Sequence, residues 1–192
     1  MNELGRQLVH IFFGLAFVAV GSAFGKAALV QLLLAAILIG LLLIQFKLSF
    51  ASIGFVDWVL DNFERRDSGL PGKGALYYFT GALLLVAFGP SFKLALAILA
   101  ILAVADGVAT VAGIHLGGPR LEWHPGKTWA GSLAFVAFGT AAAFPFIGLV
   151  SAFFFAVALA AVESINVGVD DNLLIPAAAI GIAFYAPVLG VA

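Results

Sequence analysis

Apolar segments about as long as a bilayer is thick follow one another along most of this chain. The clearest covers residues 27–46, where only Gln31 and Gln45 interrupt the apolar run. About 20 apolar residues are enough to cross a bilayer as a helix. Charged residues make up 10% of the 192 residues, whereas soluble domains contain about 25%. A soluble domain of this size could not bury so much apolar surface, so the sequence predicts an integral membrane protein.

The predicted fold is an all-α, polytopic transmembrane helical bundle that forms a single membrane domain over residues 1–192. Lipid offers the backbone no hydrogen-bond partner, so each span should be helical. We expect about seven spans, and six or eight also fit the pattern. The candidate spans are residues 8–24, 27–46, 74–89, 92–112, 129–147, 149–165 and 173–191.

Residues 50–66 are predicted to form an amphipathic helix that lies in the membrane interface instead of crossing it. At helical spacing, the apolar face carries Phe55, Val56, Val59, Leu60 and Phe63. The charged face carries Asp57, Asp61, Glu64 and Arg65. A solvated connector held by its apolar stripe would show the same pattern, so we assign the segment no catalytic role.

The basic residues fall mainly on one side of the predicted topology. Only Lys26 and Lys93, of the nine Lys and Arg residues, lie on the other side. The positive-inside bias makes the richer side cytoplasmic, and most acidic residues also lie there. A transporter would place polar groups near the midplane and on both sides, so this asymmetry favours an enzyme. A net charge of −1 without a basic cluster excludes a nucleic-acid partner, and the absence of cysteine excludes thiolate chemistry.

Asp106 is an acidic residue inside a predicted span. A carboxylate in an apolar helix is costly and is functional by default. Helical spacing places Thr110, Gly113 and Gly117 on the same face, where small side chains would let a ligand or a second helix approach. A structural ion pair with a lysine or arginine across a helix interface is the alternative interpretation.

Two Pro-Gly-Lys sequences, at residues 71–73 and 125–127, each begin a predicted span on the basic side. A helix start offers free N–H groups and a partial positive charge, which suit phosphate. Neither sequence is a Walker A loop, because Asp67 and Leu121 stand where that motif needs glycine. The residues alone therefore predict an anion site without identifying the anion.

Acidic residues also cluster between the last two predicted spans. Glu163, Asn166 and Asp170 would share one face if the helix continued through them, which would suit a metal ion. Asp171 and Asn172 could cap the final span. Metal binding and ordinary capping remain equally open for this group.

Three histidines lie near the basic side. Glu3, Arg6 and His10 share one helical face. An interfacial ion pair would explain Glu3 and Arg6, whereas His10 lies deeper in the apolar run and has no such explanation. His115 and His124 are expected to be solvated.

The spacing after Asp106 resembles the proposed CTP-binding pattern of polyprenol kinases of the dolichol kinase and phytol kinase group, D-x-x-A-x-x-x-G-x-x-x-G-x8-K-K-T-x-E-G. The matching residues are Asp106, Ala109, Gly113, Gly117, Lys127, Thr128 and Gly131. The chain departs from the pattern at Gly126, where the family has lysine, and at Ala130, where it has glutamate. Ser132 and the segments 71–74, 162–164 and 170–173 are also similar to the family, so the resemblance covers most of the chain.

The resemblance implies a membrane lipid kinase that transfers the γ-phosphate of CTP to an isoprenoid alcohol at the cytoplasmic interface, with Mg²⁺ or another divalent cation. The implied catalytic residues are Asp106, Lys127, Glu163 and Asp171. The implied nucleotide-binding residues are Lys73, Ala109, Gly113, Gly117, Arg120, Lys127, Thr128, Gly131 and Ser132. The implied metal ligands are Asp106, Glu163, Asp170 and Asp171.

Other membrane functions remain open at this point. A CTP-dependent diacylglycerol kinase differs only in its lipid, and a CDP-lipid synthase would use similar groups. A CDP-alcohol phosphotransferase would also need two further acidic residues after Asp106-Gly107. This chain has no acidic residue between Asp106 and Glu122. A small-molecule transporter is the non-enzymatic alternative. The expected partners are the lipid alcohol, the nucleoside triphosphate and the lipid bilayer. The expected location is the cytoplasmic membrane, or the endoplasmic reticulum membrane in a eukaryote. A homo-oligomer is compatible with this sequence.

Overall fold

The computed structural model describes residues 3–49, 54, 57–58, 70–165 and 167–185. These residues form five helices and one antiparallel β-hairpin. In chain order the elements are α1 (Glu3–Ser49), α2 (Lys73–Phe88), α3 (Phe92–Leu116), β1 (Arg120–Leu121), β2 (His124–Thr128), α4 (Trp129–Glu163) and α5 (Asp171–Tyr185). The predicted all-helical membrane architecture is confirmed in this coarse form. The amphipathic helix predicted at residues 50–66 lies almost entirely outside the described residues.

Three of these helices, α1, α3 and α4, are long and apolar enough to cross a membrane. Helices α2 and α5 have 16 and 15 residues, fewer than the about 20 that a bilayer needs. The predicted count of seven spans is therefore not supported. That count divided α1 near Gly25 and α4 near Gly148, because glycine among apolar residues suggested a turn between separate spans.

Gly25 and Gly148 do interrupt their helices, although each helix continues beyond them. Their φ angles are 85° and 74°, in a region that glycine enters without steric cost. A Cβ atom added to Gly139 would lie 3.4 Å from the Cβ atom of Ala156, on the other side of Gly148. A straight helix rises 1.5 Å per residue and would hold these residues far apart, so α4 folds back on itself at Gly148.

Helix α3 is the central helix of the described bundle. Of its most apolar stretch, 67% is buried, compared with 11% for α1 and 28% for α4. Small residues allow its neighbours to approach closely: a Cβ atom on Gly14 of α1 would lie 2.3 Å from the Cβ atom of Ala103. Asp106 lies one turn further along α3 and is therefore surrounded by residues of other helices.

Residues 117–128, which connect α3 to α4, contain the β-hairpin. The side chain of Thr128 caps α4, because its Oγ1 atom accepts a hydrogen bond from the N–H of Gly131 at 3.1 Å. The Nε1 atom of Trp123 donates to Oγ of Ser164 at 3.3 Å. These two contacts connect the hairpin to the start of α4 and to Ser164, the residue that follows its end.

Candidate active site

Three carboxylates from three helices meet at the end of the bundle that carries the hairpin. Asp106 comes from α3, Glu163 is the last residue of α4, and Asp171 is the first residue of α5. One oxygen atom from each lies within 4.8 Å of the others. Glu163 is only 6% exposed. Sequence analysis predicted all three as metal ligands and catalytic residues, and the structure brings them into one cluster.

Lys127 of the hairpin is the cation that faces this acidic cluster. Its Nζ atom lies 2.6 Å from Oε1 of Glu163 and 3.0 Å from Oδ2 of Asp171. It also donates to the backbone oxygen of Glu163 at 2.7 Å. Burial acts to lower the pKa of Lys127, but the two carboxylates outweigh it, and the net effect raises the pKa. Lys127 therefore remains positively charged.

The cluster keeps an excess of negative charge despite Lys127. With all three carboxylates ionised, the cluster and the ammonium of Lys127 together would carry a formal charge of −2. Burial raises the pKa of Asp171, and the negative charges of Asp106 and Asp170 add to the effect, while Lys127 opposes it. The raised pKa shows that ionising this carboxylate is costly at this position. A bound cation would relieve that cost.

Asp170 lies outside the group of three carboxylates but lines the same cavity, and its role as a metal ligand stays a prediction. Its Oδ1 atom accepts a hydrogen bond from the backbone N–H of Asn172 at 3.0 Å. Its carbonyl oxygen accepts from the N–H of Leu173 at 2.9 Å. Asp170 thus caps α5, a role that the sequence suggested for Asp171 and Asn172. Helix α4 ends at Glu163, so Glu163 and Asp170 do not share one face of a continuous helix. Asn166 lies outside the described residues.

His10 of α1 approaches the opposite side of Asp106. Its Nε2 atom lies 3.9 Å from Oδ2 of Asp106 and 3.2 Å from the backbone oxygen of Leu102. The ring of Tyr78 packs edge-on against it, with 4.7 Å between the ring centroids. His10 therefore lies between Asp106 and a buried tyrosine. The position of His10 within an apolar segment marked it as unusual, but the sequence did not predict these two neighbours.

The other residues near the N-terminus and the two remaining histidines have local roles. Arg6 forms an ion pair with Glu3, as predicted. His115 is exposed, and its Nδ1 atom lies 3.0 Å from the backbone oxygen of Val111. His124 is partly buried, and its Nδ1 atom accepts the N–H of Gly126 at 3.2 Å.

A cavity of about 1210 Å³ contains the acidic cluster. Small-molecule sites usually have about 300–1,000 Å³, so this cavity is larger than a usual small-molecule site. All of the residues predicted for the site line it: Lys73, Asp106, Ala109, Gly113, Gly117, Arg120, Lys127, Thr128, Gly131, Ser132, Glu163, Asp170 and Asp171. The structure thus collects these residues in one place, while their individual roles remain predictions.

Two of the predicted nucleotide-binding glycines pack α3 against α4. A Cβ atom on Gly131 would lie 3.0 Å from the backbone oxygen of Ala109 and 3.7 Å from Cα of Gly113. A Cβ atom on Gly113 would lie 3.1 Å from Oγ1 of Thr128. Close approach of the two helices therefore requires glycine at both positions. It also holds the start of α4, and with it Lys127, beside α3.

The hairpin forms the water-facing wall of the cavity. The Nη1 atom of Arg120 donates to the backbone oxygen of Pro125 at 2.9 Å, which places its guanidinium over the hairpin. A Cβ atom on Gly126 would lie 3.1 Å from Cε1 of His124. A lysine at residue 126, as in the related CTP-binding pattern, would therefore crowd this histidine.

Sequence analysis missed two polar residues that line the cavity, Tyr78 and Asn172. Among the residues that the structure describes, buried side-chain oxygen atoms without a hydrogen-bond partner occur in Tyr78, Ser132 and Asn172. All three residues line the cavity. Buried polar groups are normally satisfied, so this coincidence points to a ligand in the cavity. A tyrosine in the middle of an apolar helix was the one sequence signal for Tyr78.

Comparisons with known proteins identify relatives but no matching structure. No family model matches the chain, and no solved structure matches it. The chain is 31% identical to an uncharacterised protein of Methanocaldococcus jannaschii over 92% of its own length and 90% of that relative. It is 29% identical to the probable phytol kinase 2 of Oryza sativa subsp. japonica and 27% identical to the farnesol kinase of Arabidopsis thaliana, each over 91% of this chain. The chain spans 63% and 62% of these two plant proteins, which are both described as chloroplastic.

Proposed function

We propose that this chain, which belongs to the polyprenol and phytol kinase-like family, transfers a phosphoryl group from a nucleoside triphosphate to the hydroxyl of an isoprenoid alcohol. The observation that carries the proposal is the cluster of Asp106, Glu163 and Asp171 around Lys127, inside a cavity with both charged and apolar walls. Phosphoryl transfer depends mainly on positioning and on neutralising charge. This arrangement supplies both.

The acidic cluster fits a divalent cation such as Mg²⁺. Magnesium prefers oxygen ligands and is usually held by one or two carboxylates together with substrate phosphates. Asp106, Glu163 and Asp171 offer three carboxylate oxygens within 4.8 Å of one another and a negative charge that Lys127 only partly compensates. These three residues would hold the ion, which when bound would neutralise phosphate charge. Asp170 is left out of this assignment because it caps α5.

The donor nucleotide is assigned to the hairpin side of the cavity. Lys127 and Arg120 lie there, and Lys73 begins α2 at the same cavity. Their positive charges would bind the phosphate oxygens of the donor, which is CTP by the resemblance described above. The exposed hairpin gives a hydrophilic nucleotide access from water. Because Arg6, Lys73, Arg120 and Lys127 line this cavity, we assign this face to the cytoplasm.

The transfer needs a group that takes up the proton of the attacking alcohol. The alcohol oxygen forms a bond to the terminal phosphorus while the bond to the leaving nucleoside diphosphate breaks. The Oδ2 atom of Asp106 lies 3.9 Å from Nε2 of His10, and we assign proton uptake to this oxygen and the contact with the ion to the other oxygen of the same carboxylate. Lys127 neutralises charge on the phosphates and keeps Glu163 and Asp171 in position.

A labelling assay tests the reaction directly. Purified protein in detergent or nanodiscs is incubated with Mg²⁺, γ-labelled CTP, ATP, GTP or UTP, and phytol, farnesol, geranylgeraniol, dolichol or diacylglycerol. We expect label in an isoprenoid alcohol, with CTP as the preferred donor. Label only in diacylglycerol would instead identify a diacylglycerol kinase, and CMP attached to lipid would identify a synthase. A protein that labels none of the lipids is not the kinase proposed here.

A pair of matched variants links the activity to the acidic cluster. Glu163→Gln keeps the shape of the side chain but removes one charge, and we expect turnover to fall by about a hundredfold or more. Glu122→Gln makes the same change at an exposed residue of the hairpin that does not line the cavity, and activity should be retained. Equal activity of the two variants would remove Glu163 from the mechanism.

A further inference from the structure

The hydroxyl group of Tyr78 is buried and unsatisfied at the α1–α2 side of the cavity. Tyr78 is 4% exposed, and its oxygen has no hydrogen-bond partner within the described part of the chain. Phe17 stacks against its ring at 6.1 Å, and Phe79 lies edge-on at 6.2 Å. A buried hydroxyl without a partner is costly, and packing alone would be served equally well by phenylalanine. The oxygen of Tyr78 therefore indicates a ligand.

The position of Tyr78 relative to the acidic cluster indicates which group of a ligand would bind to the tyrosine oxygen. Its ring contacts His10, and His10 in turn lies 3.9 Å from Asp106. The Nε2 atom of His10 can donate to the backbone oxygen of Leu102 at 3.2 Å, which leaves Nδ1 as the acceptor of a neutral ring. A phenol and an imidazole therefore stand side by side, next to the carboxylate assigned to accept a proton.

The hairpin wall of the cavity is charged, whereas helices α1 and α2 add an apolar patch beside their own charged residues Arg6 and Lys73. Lys127 and Arg120 line the hairpin side, whereas Val9, Phe13 and Phe79 line the side of Tyr78. Phe13 is 51% exposed on the surface of a helix that is long and apolar enough to cross a membrane. The apolar side of the cavity is therefore continuous with a surface that faces lipid.

We propose that Tyr78 and His10 form the subsite for the hydroxyl of the acceptor alcohol, with its isoprenoid tail leaving along Val9, Phe13 and Phe79. The subsite rests on the kinase function proposed above. In it, the hydroxyl of the acceptor hydrogen-bonds to the oxygen of Tyr78, which satisfies that buried group. The same contact holds the acceptor oxygen beside Asp106, between the apolar wall and the phosphates of the donor.

Tyr78→Phe isolates the proposed hydrogen bond, because it removes only the oxygen atom. We expect the affinity for [³H]farnesol, measured by equilibrium binding to the detergent-solubilised protein without nucleotide, to fall about tenfold, the equivalent of one hydrogen bond. In turnover, KM for the alcohol should rise while KM for the nucleotide stays unchanged. The unfolding temperature should not fall, because the lost oxygen has no partner within the described residues. Tyr77→Phe, one residue away and not lining the cavity, is the matched control and should bind like the wild type.

The outcomes separate the subsite from the reaction. Equal farnesol affinity in the wild type and in Tyr78→Phe overturns the subsite, even if the protein is a kinase. A wild type that does not bind farnesol overturns it as well. If the wild type binds farnesol, Tyr78→Phe binds it more weakly and no nucleotide supports phosphorylation, the subsite stands and the kinase function falls. A lower unfolding temperature for Tyr78→Phe would show a structural role instead.

Discussion

Lys127→Met should destabilise the protein strongly without a divalent cation and much less with one. The substitution keeps most of the side-chain volume but removes the ammonium that faces Glu163 and Asp171. Three carboxylates then share a small region with no lysine between them. A divalent cation can replace the lost positive charge. Stability and metal binding should therefore become coupled more tightly in the variant than in the wild type.

The size of the effect follows from two ion-pair distances. At 2.6 and 3.0 Å and an effective dielectric constant of about 20, each pair contributes a gross attraction of roughly 5–7 kcal/mol. Desolvation of the charges offsets most of this attraction, and the side chain of Asp171 is 33% exposed, so solvent screens its share further. Removing one partner of a buried pair typically costs about 3–5 kcal/mol. For a chain of this size, that corresponds to a fall in Tm of roughly 6–20 °C.

Thermal unfolding in detergent measures both parts of the prediction. Unfolding of the wild type and Lys127→Met is followed in EDTA and in increasing Mg²⁺. A ligand at about 100 times its Kd stabilises the folded state by about 2.7 kcal/mol, so Mg²⁺ should restore most of the loss in the variant. Lys26→Met is the control, since Lys26 is exposed and does not line the cavity. The reasoning is refuted if Lys127→Met unfolds like the wild type in EDTA, or if Mg²⁺ raises both unfolding temperatures equally.

Three further predictions concern the elements that hold the cluster. Gly81→Ala should push α2 away from α5 and lower Tm, because the new Cβ atom would overlap the backbone oxygen of Asn172. The control Gly181→Ala should leave Tm unchanged, because its Cβ atom would meet no atom within 4 Å. Thr128→Ala should cost about 1 kcal/mol of unfolding free energy by removing the cap of α4, and Thr128→Ser should restore it. Because the pKa of Asp171 is raised in the folded state, its ionisation weakens folding as the pH rises. In EDTA, Asp171→Asn should thus gain stability relative to the wild type as the pH rises above about 4; a constant difference in Tm would contradict this.

Much of the helical layout could be predicted because apolar patterns are local. The expected start of α3 at residue 92 agrees with the structure, and the span predicted at residues 74–89 corresponds to α2 within one residue. The count of seven spans is not supported, because a glycine among apolar residues does not show from sequence alone whether a helix ends there or continues beyond a bend. The hairpin was missed because its strands have only two and five residues.

The site was only partly predictable for a different reason. Asp106 stood out because a charge in an apolar helix is conspicuous. The pairing of Lys127 with Glu163 joins residues far apart in sequence, and it depends on how α3 and α4 pack. Tyr78 was missed because its chemistry comes from a buried hydroxyl that has no hydrogen-bond partner among the described residues. That property depends on the packing of α1, α2 and α3, which no local pattern contains.

The ribosome makes the residues of the acidic cluster one after another, so the cluster is completed in stages. Asp106, Lys127 and Glu163 emerge first, and Asp171 follows only when α5 is made. A nascent chain that ends before α5 holds Lys127 opposite a single close carboxylate, Glu163, whereas the finished chain adds a second. Helix α5 thus supplies the third carboxylate of the group that we propose as a cation site. The cluster is therefore complete only after α5 has been made, and a chain that stops before Asp171 contains only two of the three carboxylates.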